Sequence, residues 1–319
     1  MTTMIVRVPE GAAERADRLL ARHLPGFSRQ RIQTLLQQGL IRIDGKKIRK
    51  GETFAAGSDL EIEVRASVTA HLAPEAEPAP ALLYEDRWLV AVDKPAGRPG
   101  HALRPEDRGT IANFLAARYP ETREAGGTPL EQGLVHRLDT DTSGVLLAAR
   151  TREAWLELRR QFREREVEKR YLALVAGSIA KAGEIARPIE PDPRNRRKVR
   201  VRDETGPHTR SAITYYRPMA RYAGYTLLEV EIATGMMHQI RAHLAAIGHP
   251  VAGDSLYGKA SASALATPRH LLHAVILVVT HPVRGDRLRI ESPLPQDFAD
   301  ALTRLAKREE GPITPRGYC

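Results

Sequence analysis

The run HRLDTDTSG at residues 136–144 combines residue types that chemistry needs more than packing does. Asp139 follows Arg137 by two positions, and a nearby positive charge keeps a carboxylate ionised well below neutral pH. An ionised carboxylate can serve as a covalent nucleophile. The Thr-Ser-Gly segment at 142–144 favours a sharp bend that lets another segment come close. The run therefore predicts Asp139 as a nucleophile in a tight turn, the alternative being a surface turn with a neutralised aspartate.

A second candidate region is TGMMHQIRAHLAAIGHPVAGDSLYG at residues 234–258. Apolar residues at 237, 240, 244 and 247 recur with helical spacing, which predicts a helix over Met236–Ile247 that ends at Gly248. His238 and Arg241 are three positions apart and share one edge of the apolar face. Arg241 is therefore expected at the border between the core and a cleft.

HRLDTDTSG resembles the catalytic signature of the RluA-type pseudouridine synthases, which isomerise uridine to pseudouridine in RNA. Residues 234–258 are similar to another block of that family. Three further similar blocks are DKPAG at Asp93–Gly97, EKRYLALVAG at Glu168–Gly177 and Leu271–Phe298. Five blocks in the family's order, over residues 82–300, are far more specific than one short match.

The resemblance implies roles for individual residues. Asp139 would be the nucleophile, Arg241 would hold its carboxylate, and Tyr171 would lie against the flipped base and remove the final proton. Arg137 would help to fill the space that the flipped uridine leaves. Asp139 could attack the anomeric carbon or deprotonate the sugar, and the sequence favours neither route. The residues expected to bind substrate in this domain are His136, Arg137, Lys94 and His238.

Two departures from the family pattern concern the rim of the site. Met236-Met237 stand where the family usually has a basic and then a small residue, so this position supplies no positive charge here. Arg98-Pro99-Gly100-His101 replace the usual apolar continuation after the lysine-proline segment. Both departures predict a substrate rim that differs from the common one.

Composition independently favours an RNA partner. The 319 residues carry a net charge of +10 with a pI near 9.9, as expected of a polyanion binder. The single cysteine, Cys319, excludes an intramolecular disulfide and suits a reducing cytoplasm. Neither a signal peptide nor a membrane-spanning run is recognised. We expect a cytoplasmic monomer without metal or cofactor, since isomerisation needs neither nucleotide energy nor a hydride.

The N-terminal part is predicted to be a separate small α/β-hairpin domain over residues 12–65. Helical periodicity covers Ala12–Leu24, a second helix follows Ser28, and alternating residues then predict a hairpin with a closing strand. Two helices before a small hairpin-rich sheet resemble the RNA-binding domain named after ribosomal protein S-four. Arg29 and Arg31 on the second helix are expected to contact RNA, although a solvated helix face would also carry such arginines.

The rest of the chain is assigned to three segments. Residues 66–81 contain three prolines and predict an extended, semi-stiff linker. Residues 82–305 alternate irregularly between short strands and helices, which favours an α+β catalytic domain. The resemblance implies a mixed, largely antiparallel sheet there. Residues 306–319 are expected to form a flexible tail.

A dense basic run, RNRRKVRVR at 194–202, carries six basic side chains and no acidic one. Like charges at this density repel one another unless a polyanion neutralises them. Arg196 and Arg197 are therefore expected to contact phosphates, the alternative being a solvated loop.

Three hypotheses of different classes follow. The favoured one is a pseudouridine synthase acting on structured RNA, with large-subunit ribosomal RNA preferred and tRNA as the alternative. The second is a non-catalytic RNA-binding factor of ribosome assembly, which loss of Asp139 or Tyr171 would have favoured. The third is a glycosidase or metal-dependent hydrolase using Asp139 with His136, which needs a second placed carboxylate or a metal cluster.

Overall fold

The computed structural model describes residues 2–10, 13–24, 29–49, 51–64, 72–128, 130–258, 265 and 267–307, without the side chains of residues 2, 29–31 and 34. In this part of the chain, no helix is long and apolar enough to cross a membrane. The tail expected at 306–319 lies almost wholly outside the described residues.

The N-terminal unit is built on a four-stranded antiparallel sheet that packs against two helices. Its elements are β1 Thr2–Arg7, β2 Glu14–Arg15, α1 Ala16–His23, α2 Arg29–Gln37, β3 Ile41–Ile43, β4 Lys46–Lys47, β5 Thr53–Phe54 and β6 Asp59–Val64. The sheet order is β1-β6-β3-β4, and β2 pairs separately with β5. Apolar residues from both helices and this sheet form one core.

The sheet of this unit extends beyond the predicted boundary at residue 12. Strand β1 pairs with β6 from Thr2 to Arg7. Val6 and Val8 are buried while Ile5 is 78% exposed, which is the alternation of a strand with one face on a core. The extra strand therefore follows from an alternating pattern that begins before the first helix.

The larger unit contains the remaining elements. Its strands are β7 Ala81–Glu85, β8 Leu89–Lys94, β9 Ser143–Ala149, β10 Glu168–Ala176, β11 Gly183–Ala186, β12 Ile189–Pro191, β13 Val199–Val201, β14 Ile213–Tyr222, β15 Tyr225–Ile232, β16 Leu272–Thr280 and β17 Arg287–Glu291. Its helices are α3 Ile111–Arg118, α4 Thr122–Ala125, α5 Arg152–Glu164, α6 Gln239–Ala246 and α7 Gln296–Ala306.

A nine-stranded sheet organises this unit. Its order is β11-β14-β15-β10-β16-β9-β8-β7, and β17 also pairs with β16. The pairing of β16 with β9 is parallel, whereas the neighbouring pairs are antiparallel. The α+β class with a mixed, largely antiparallel sheet is thereby confirmed. Apolar side chains cover both faces of the sheet, which buries its central strands.

The end of the predicted linker is packed rather than extended in solvent. Leu72 is 4% exposed and belongs to the core of the larger unit. The Asn113 side chain donates to the Ala73 carbonyl at 2.8 Å, and the Glu75 carboxylate accepts from the Gly109 N–H at 2.6 Å. Residues 72–80 therefore belong to the larger unit, because buried and hydrogen-bonded groups override the extended preference of proline-rich sequence. The linker prediction for residues 66–71 lies outside the described residues.

Helix α6 is shorter than the predicted Met236–Ile247. His238 has a left-handed φ of 53°, which is unfavourable for a residue with a Cβ. The Gln239 side chain accepts hydrogen bonds from the Met236 N–H at 3.1 Å and the Thr234 hydroxyl at 2.8 Å. These bonds fold residues 234–238 into a turn that precedes the helix and carries His238.

Candidate active site

The HRLDTDTSG run leads directly into β9 beside β16. Gly144 has a φ of 116°, and a Cβ there would lie 2.2 Å from the Ala274 carbonyl oxygen. Only glycine allows this close approach, which brings Ser143 and Gly144 into parallel pairing with His273 and Ala274. The bend predicted at Gly144 therefore fixes the run against the central strand of the sheet.

Lys94 supports the turn at residues 139–143, which carries Asp139. Its ammonium is fully buried and donates to the carbonyls of Pro95 at 2.9 Å, Arg98 at 2.8 Å and Thr140 at 2.8 Å. Burial lowers the pKa of Lys94 to about 7. Lys94 was expected to bind substrate, but the structure commits its three donors to the backbone. Its place is therefore a support for the turn that carries Asp139.

Two buried histidines bond to the hydroxyls at the end of this turn. His270 Nε2 lies 2.8 Å from Thr142 Oγ1, and His273 Nδ1 lies 3.0 Å from Ser143 Oγ. Burial lowers the pKa of each imidazole to about 4. Both rings are therefore neutral at physiological pH, and they position the turn without adding positive charge beside Asp139.

One guanidinium, that of Arg241, bridges the carboxylates of Asp139 and Asp254. Arg241 Nη1 donates to Asp139 Oδ2 at 2.8 Å. The same guanidinium makes a bidentate pair with Asp254, at 2.7 Å from Nε and 2.9 Å from Nη2. Burial alone would raise the pKa of Asp254, but the pair with Arg241 lowers it below its ordinary value. Asp254 thus orients Arg241, which in turn orients the carboxylate of Asp139.

Sequence reasoning missed Asp254, and it placed the charge of Arg137 beside Asp139. The glycine next to Asp254, Gly253, has a φ of 78°, and a Cβ there would lie 2.0 Å from the Arg269 carbonyl oxygen. The sequence signal that could have revealed Asp254 was the glycine-aspartate pair at residues 253–254, within the block at residues 234–258. In the described part of the chain, Arg241 is the ion-pair partner of Asp139, and burial lowers the pKa of the neighbouring His238 imidazole, whereas Arg137 is exposed.

His238 and Tyr257 form the next layer around the carboxylate. His238 Nε2 lies 3.8 Å from Asp139 Oδ1, and His238 Nδ1 lies 3.1 Å from the Tyr257 hydroxyl. That hydroxyl also accepts from the Val199 N–H of β13 at 2.9 Å. Tyr257 was not singled out from the sequence. It connects the β12–β13 hairpin to the site through a single hydroxyl group.

Tyr171 on β10 lines the same cleft as Asp139. The residue is 8% exposed. Burial raises the pKa of its phenol, and the negative charge of Asp139 raises it further. Tyr171 is therefore a neutral phenol in the resting site, with its ring available as an apolar wall.

His136 and Arg137 occupy different depths of the cleft. The His136 ring stacks on Phe162 with centroids 5.1 Å apart, and its Nε2 accepts from the Leu147 N–H at 3.1 Å. Burial, with smaller contributions from the charges of Lys169 and Arg159, lowers the pKa of His136 to about 3. Arg137 is exposed and lines the cleft, so its guanidinium is free to meet a polyanion.

The cleft has a volume of about 560 Å³, which lies in the range of ligand pockets. Among the described residues, one carboxylate, that of Asp139, and several arginines and a lysine line it. The cationic residues are Arg137, Arg159, Arg163, Arg165, Lys169, Arg210 and Arg241. No group of three His, Cys, Asp or Glu side chains suited to a metal ion occurs among the described residues. The arrangement therefore suits a negatively charged ligand presented to one anchored carboxylate.

The basic hairpin is less uniform than its sequence suggests. Arg196 and Arg197 are exposed, but Arg200 and Arg202 both pair with Glu190 across the hairpin, at 2.6 and 3.7 Å. The side chains of Arg29 and Arg31 in the N-terminal unit lie outside the described residues. Within the hairpin, Arg196 and Arg197 thus keep their predicted availability for phosphates, while Arg200 and Arg202 share the single negative charge of Glu190.

Comparison with known proteins defines the class to which this site belongs. The family model for RNA pseudouridylate synthase matches residues 88–246, and the S4 domain model matches residues 14–59. The chain belongs to the RNA pseudouridine synthases, enzymes that isomerise uridine to pseudouridine in RNA, and it carries an S4 domain at its N-terminus.

Individual relatives agree with this class. The chain is 37% identical to ribosomal large subunit pseudouridine synthase D of Xanthomonas campestris, over 93% of this chain and 91% of that protein. It is 39% identical to an uncharacterized RNA pseudouridine synthase of Chloroflexus aurantiacus, over 96% and 94%. The structure of human RNA pseudouridylate synthase domain containing 4 matches with a TM-score of 0.57 and 25% identity, covering 71% of this chain and 93% of that one.

Proposed function

We propose that this enzyme converts uridine to pseudouridine in large-subunit ribosomal RNA, with Asp139 as the nucleophile. The observation that carries the proposal is the carboxylate of Asp139, the one carboxylate that lines the cleft among the described residues, held by Arg241 at 2.8 Å among cationic residues that suit RNA. The substrate class is supported by relatives over nearly the full chain that are named for the ribosomal large subunit. An S4 domain beside the catalytic unit agrees with a large structured RNA.

The reaction requires the base to leave its stack. A uridine within a helix cannot reach a carboxylate inside a cleft, so the nucleotide is flipped at a cost of a few kcal/mol in lost stacking. Arg137 is exposed at the cleft and would occupy the vacated space in the RNA. The flipped base would then lie against the ring of Tyr171.

Asp139 would act once the base is seated. The bond between N1 of the base and C1′ of the sugar breaks, and C5 of the rotated base then bonds to C1′. The proton on C5 is lost in the last step. Asp139 could attack C1′ to give a covalent sugar ester, or remove a sugar proton to give an unsaturated sugar. Both routes need an ionised carboxylate whose orientation is fixed, and the pair with Arg241 provides that orientation.

The proton from C5 needs an acceptor near the base. Tyr171 lines the cleft, but its raised pKa makes a standing phenolate unfavourable. Tyr171 would therefore accept the proton only while passing its own phenolic proton on, and Asp139 is the carboxylate of the described chain that lines the same cleft and acts on Tyr171 by its charge. Loss of the Tyr171 hydroxyl should slow this last step more than it weakens binding.

The test is a map of pseudouridine in total RNA from a strain that lacks this gene, complemented with the parent, Asp139→Asn or Asp141→Asn. Asp141 is exposed and lies in the same turn, so it is a matched control. We expect a pseudouridine of large-subunit ribosomal RNA to disappear on deletion and to return with the parent and Asp141→Asn. Asp139→Asn should leave it absent, because an amide is no nucleophile.

Purified proteins give the corresponding rate. Tritium release from labelled uridine RNA should fall more than about 10³-fold in Asp139→Asn, while the dissociation constant for RNA changes by only a few fold. Turnover by that variant, or missing pseudouridine confined to tRNA, would contradict the proposal in its catalytic or substrate part respectively.

A further inference from the structure

Lys169 stands out among the buried groups of the cleft. The residue is 8% exposed and lines the cleft together with Tyr171 and Thr234. In the part of the chain that the structure describes, one acceptor lies within hydrogen-bond reach of Nζ, the Thr234 carbonyl at 3.5 Å. An ammonium has three donors, so Lys169 has donors left for a ligand in the cleft.

Its surroundings are cationic. Arg159 and Arg165 line the same end of the cleft, and both are exposed. Their charges and that of Lys169 act on neighbouring groups, since Lys169 and Arg159 both lower the pKa of His136. Burial and the charge of Arg165 together lower the pKa of Lys169 to about 8. We name Lys169, Arg159 and Arg165 the cationic end.

The acidic side chains near this end are occupied or face outward. Glu166 pairs with Arg160 at 2.7 Å, and Glu164 also pairs with Arg160. Glu231, which favours the charged form of Lys169, is exposed on β15. Glu231 and Glu131 act on Lys169 and Arg159 from outside the cleft, so no carboxylate of the described chain shares the cleft surface with the cationic end except Asp139.

Backbone conformation gives a second indication. Arg165 caps α5 with a left-handed φ of 63°, a position where glycine is the usual residue. A non-glycine residue there carries a conformational cost. An arginine held in this position at the cleft is explained by use of its charge.

We propose that the cationic end is the binding site for an RNA phosphate adjacent to the flipped nucleotide, with the Lys169 ammonium as its buried contact. The inference rests on the proposed function in taking the ligand to be RNA. An anionic phosphate oxygen would accept the unused donors of Lys169, and Arg159 and Arg165 would neutralise the remaining charge. The same contact would orient the sugar of the flipped nucleotide toward Asp139.

The first experiment compares uridine with uridine 5′-monophosphate and uridine 3′-monophosphate by calorimetric titration. We expect the parent to bind at least one monophosphate about 10-fold more tightly than uridine, and Lys169→Met to lose that preference. Lys181→Met is the matched control, because Lys181 is exposed and lies outside the cleft. An equal preference in Lys169→Met, or no preference in the parent, overturns the proposal. A variant that loses uridine and monophosphate affinity equally also overturns it, since that pattern indicates a contact with the base.

A stability measurement separates a ligand contact from a structural one. Lys169→Met removes a buried cation whose bond to Thr234 is long, so its melting temperature should equal or exceed that of the parent. A clear fall in melting temperature would indicate a structural lysine and contradict the proposal. Lys169→Arg, which keeps the charge, should recover part of the monophosphate preference.

The second experiment uses an RNA that the parent modifies, with neutral methylphosphonate placed at single linkages around the target uridine. One linkage should weaken parent binding, and the same linkage should have little further effect in Lys169→Met. Strict additivity at every linkage overturns the phosphate contact. A parent that prefers the monophosphates but makes no pseudouridine would refute the proposed function while leaving the phosphate site standing.

Discussion

The turn at residues 139–143, which carries Asp139, and the cationic end line one cleft but differ in how many of their polar groups have partners in the protein. In the turn at residues 139–143, the Asp139 carboxylate, the Thr140 carbonyl and the hydroxyls of Thr142 and Ser143 have protein partners at 2.8 to 3.0 Å. At the cationic end, Lys169 has one acceptor at 3.5 Å and two exposed arginines beside it. The protein itself supplies hydrogen-bond partners to the groups of the turn that position Asp139. At the cationic end, Lys169 keeps hydrogen-bond donors without a partner in the described chain, and a ligand can accept from them.

Two buried lysines show the difference directly. Lys94 donates to three carbonyls within 2.9 Å, so it is a structural group although it lies beside the turn that carries Asp139. Lys169 is nearly as buried but keeps donors unused. Burial alone therefore does not assign a role to a lysine, whereas the count of its hydrogen-bond acceptors does.

The largest expected effect tests the saturated region. Lys94→Met should lower the free energy of unfolding by about 4 kcal/mol, because three carbonyls lose the donor that the buried ammonium provides. Urea denaturation followed by tryptophan fluorescence reports on this unit, since both tryptophans, Trp88 and Trp155, pack in its core. Lys169→Met should show no such loss, and equal destabilisation of the two variants would remove the distinction.

The neutral histidines of the turn predict a dependence of stability on pH. Because burial lowers the pKa of His273 to about 4, the unfolded chain binds its proton at a higher pH than the folded one. Stability is then complete above about pH 6.5 and falls as the pH decreases toward 4, by up to about 3 kcal/mol for this group. Unfolding measured from pH 7 to pH 4 should lose part of this slope in His273→Gln. A variant with the parent's slope would contradict the assignment.

A smaller effect concerns orientation of the nucleophile. Asp254→Asn weakens the grip on Arg241 without touching Asp139, so the turnover number should fall about 10- to 100-fold while RNA affinity stays unchanged. Single-turnover rates at saturating enzyme, with binding measured in parallel, test this. Asp286→Asn, an exposed aspartate paired with Arg284 at 2.9 Å, is the matched control. A fall in affinity equal to the fall in rate would place Asp254 in substrate binding instead.

The smallest effect is expected at the β12–β13 hairpin, whose Arg196 and Arg197 do not line the cleft. Replacing Arg196 and Arg197 by Ser should reduce the slope of log affinity against log salt by roughly 0.7 to 0.9 for each phosphate that the variant no longer binds. Arg200→Ser should change the slope less, because Glu190 already neutralises that guanidinium. Salt titrations of the parent and both variants on one RNA decide the matter, and parallel lines would return the hairpin to a solvated loop.

Local sequence determined much of this protein. The period of apolar residues predicted a helix after Ser28 and another that ends at Gly248, and the structure has α2 at Arg29–Gln37 and α6 at Gln239–Ala246. The nine residues at 136–144 identified the candidate nucleophile and the glycine bend. These features depend on neighbours within a few residues, which is the range over which a sequence pattern carries its own physical cause.

The resemblance already implied that Arg241 holds Asp139, but only the tertiary structure decided the geometry of that pair and its third member, Asp254. Arg241 reaches Asp139 across 102 positions of the chain, and Asp254 reaches Arg241 through a close approach at Gly253. The opposite roles of Lys94 and Lys169 likewise depend on carbonyls that distant strands and turns bring near. Residue type states what a side chain can donate or accept, but the packing of the sheet determines which groups are close enough to respond.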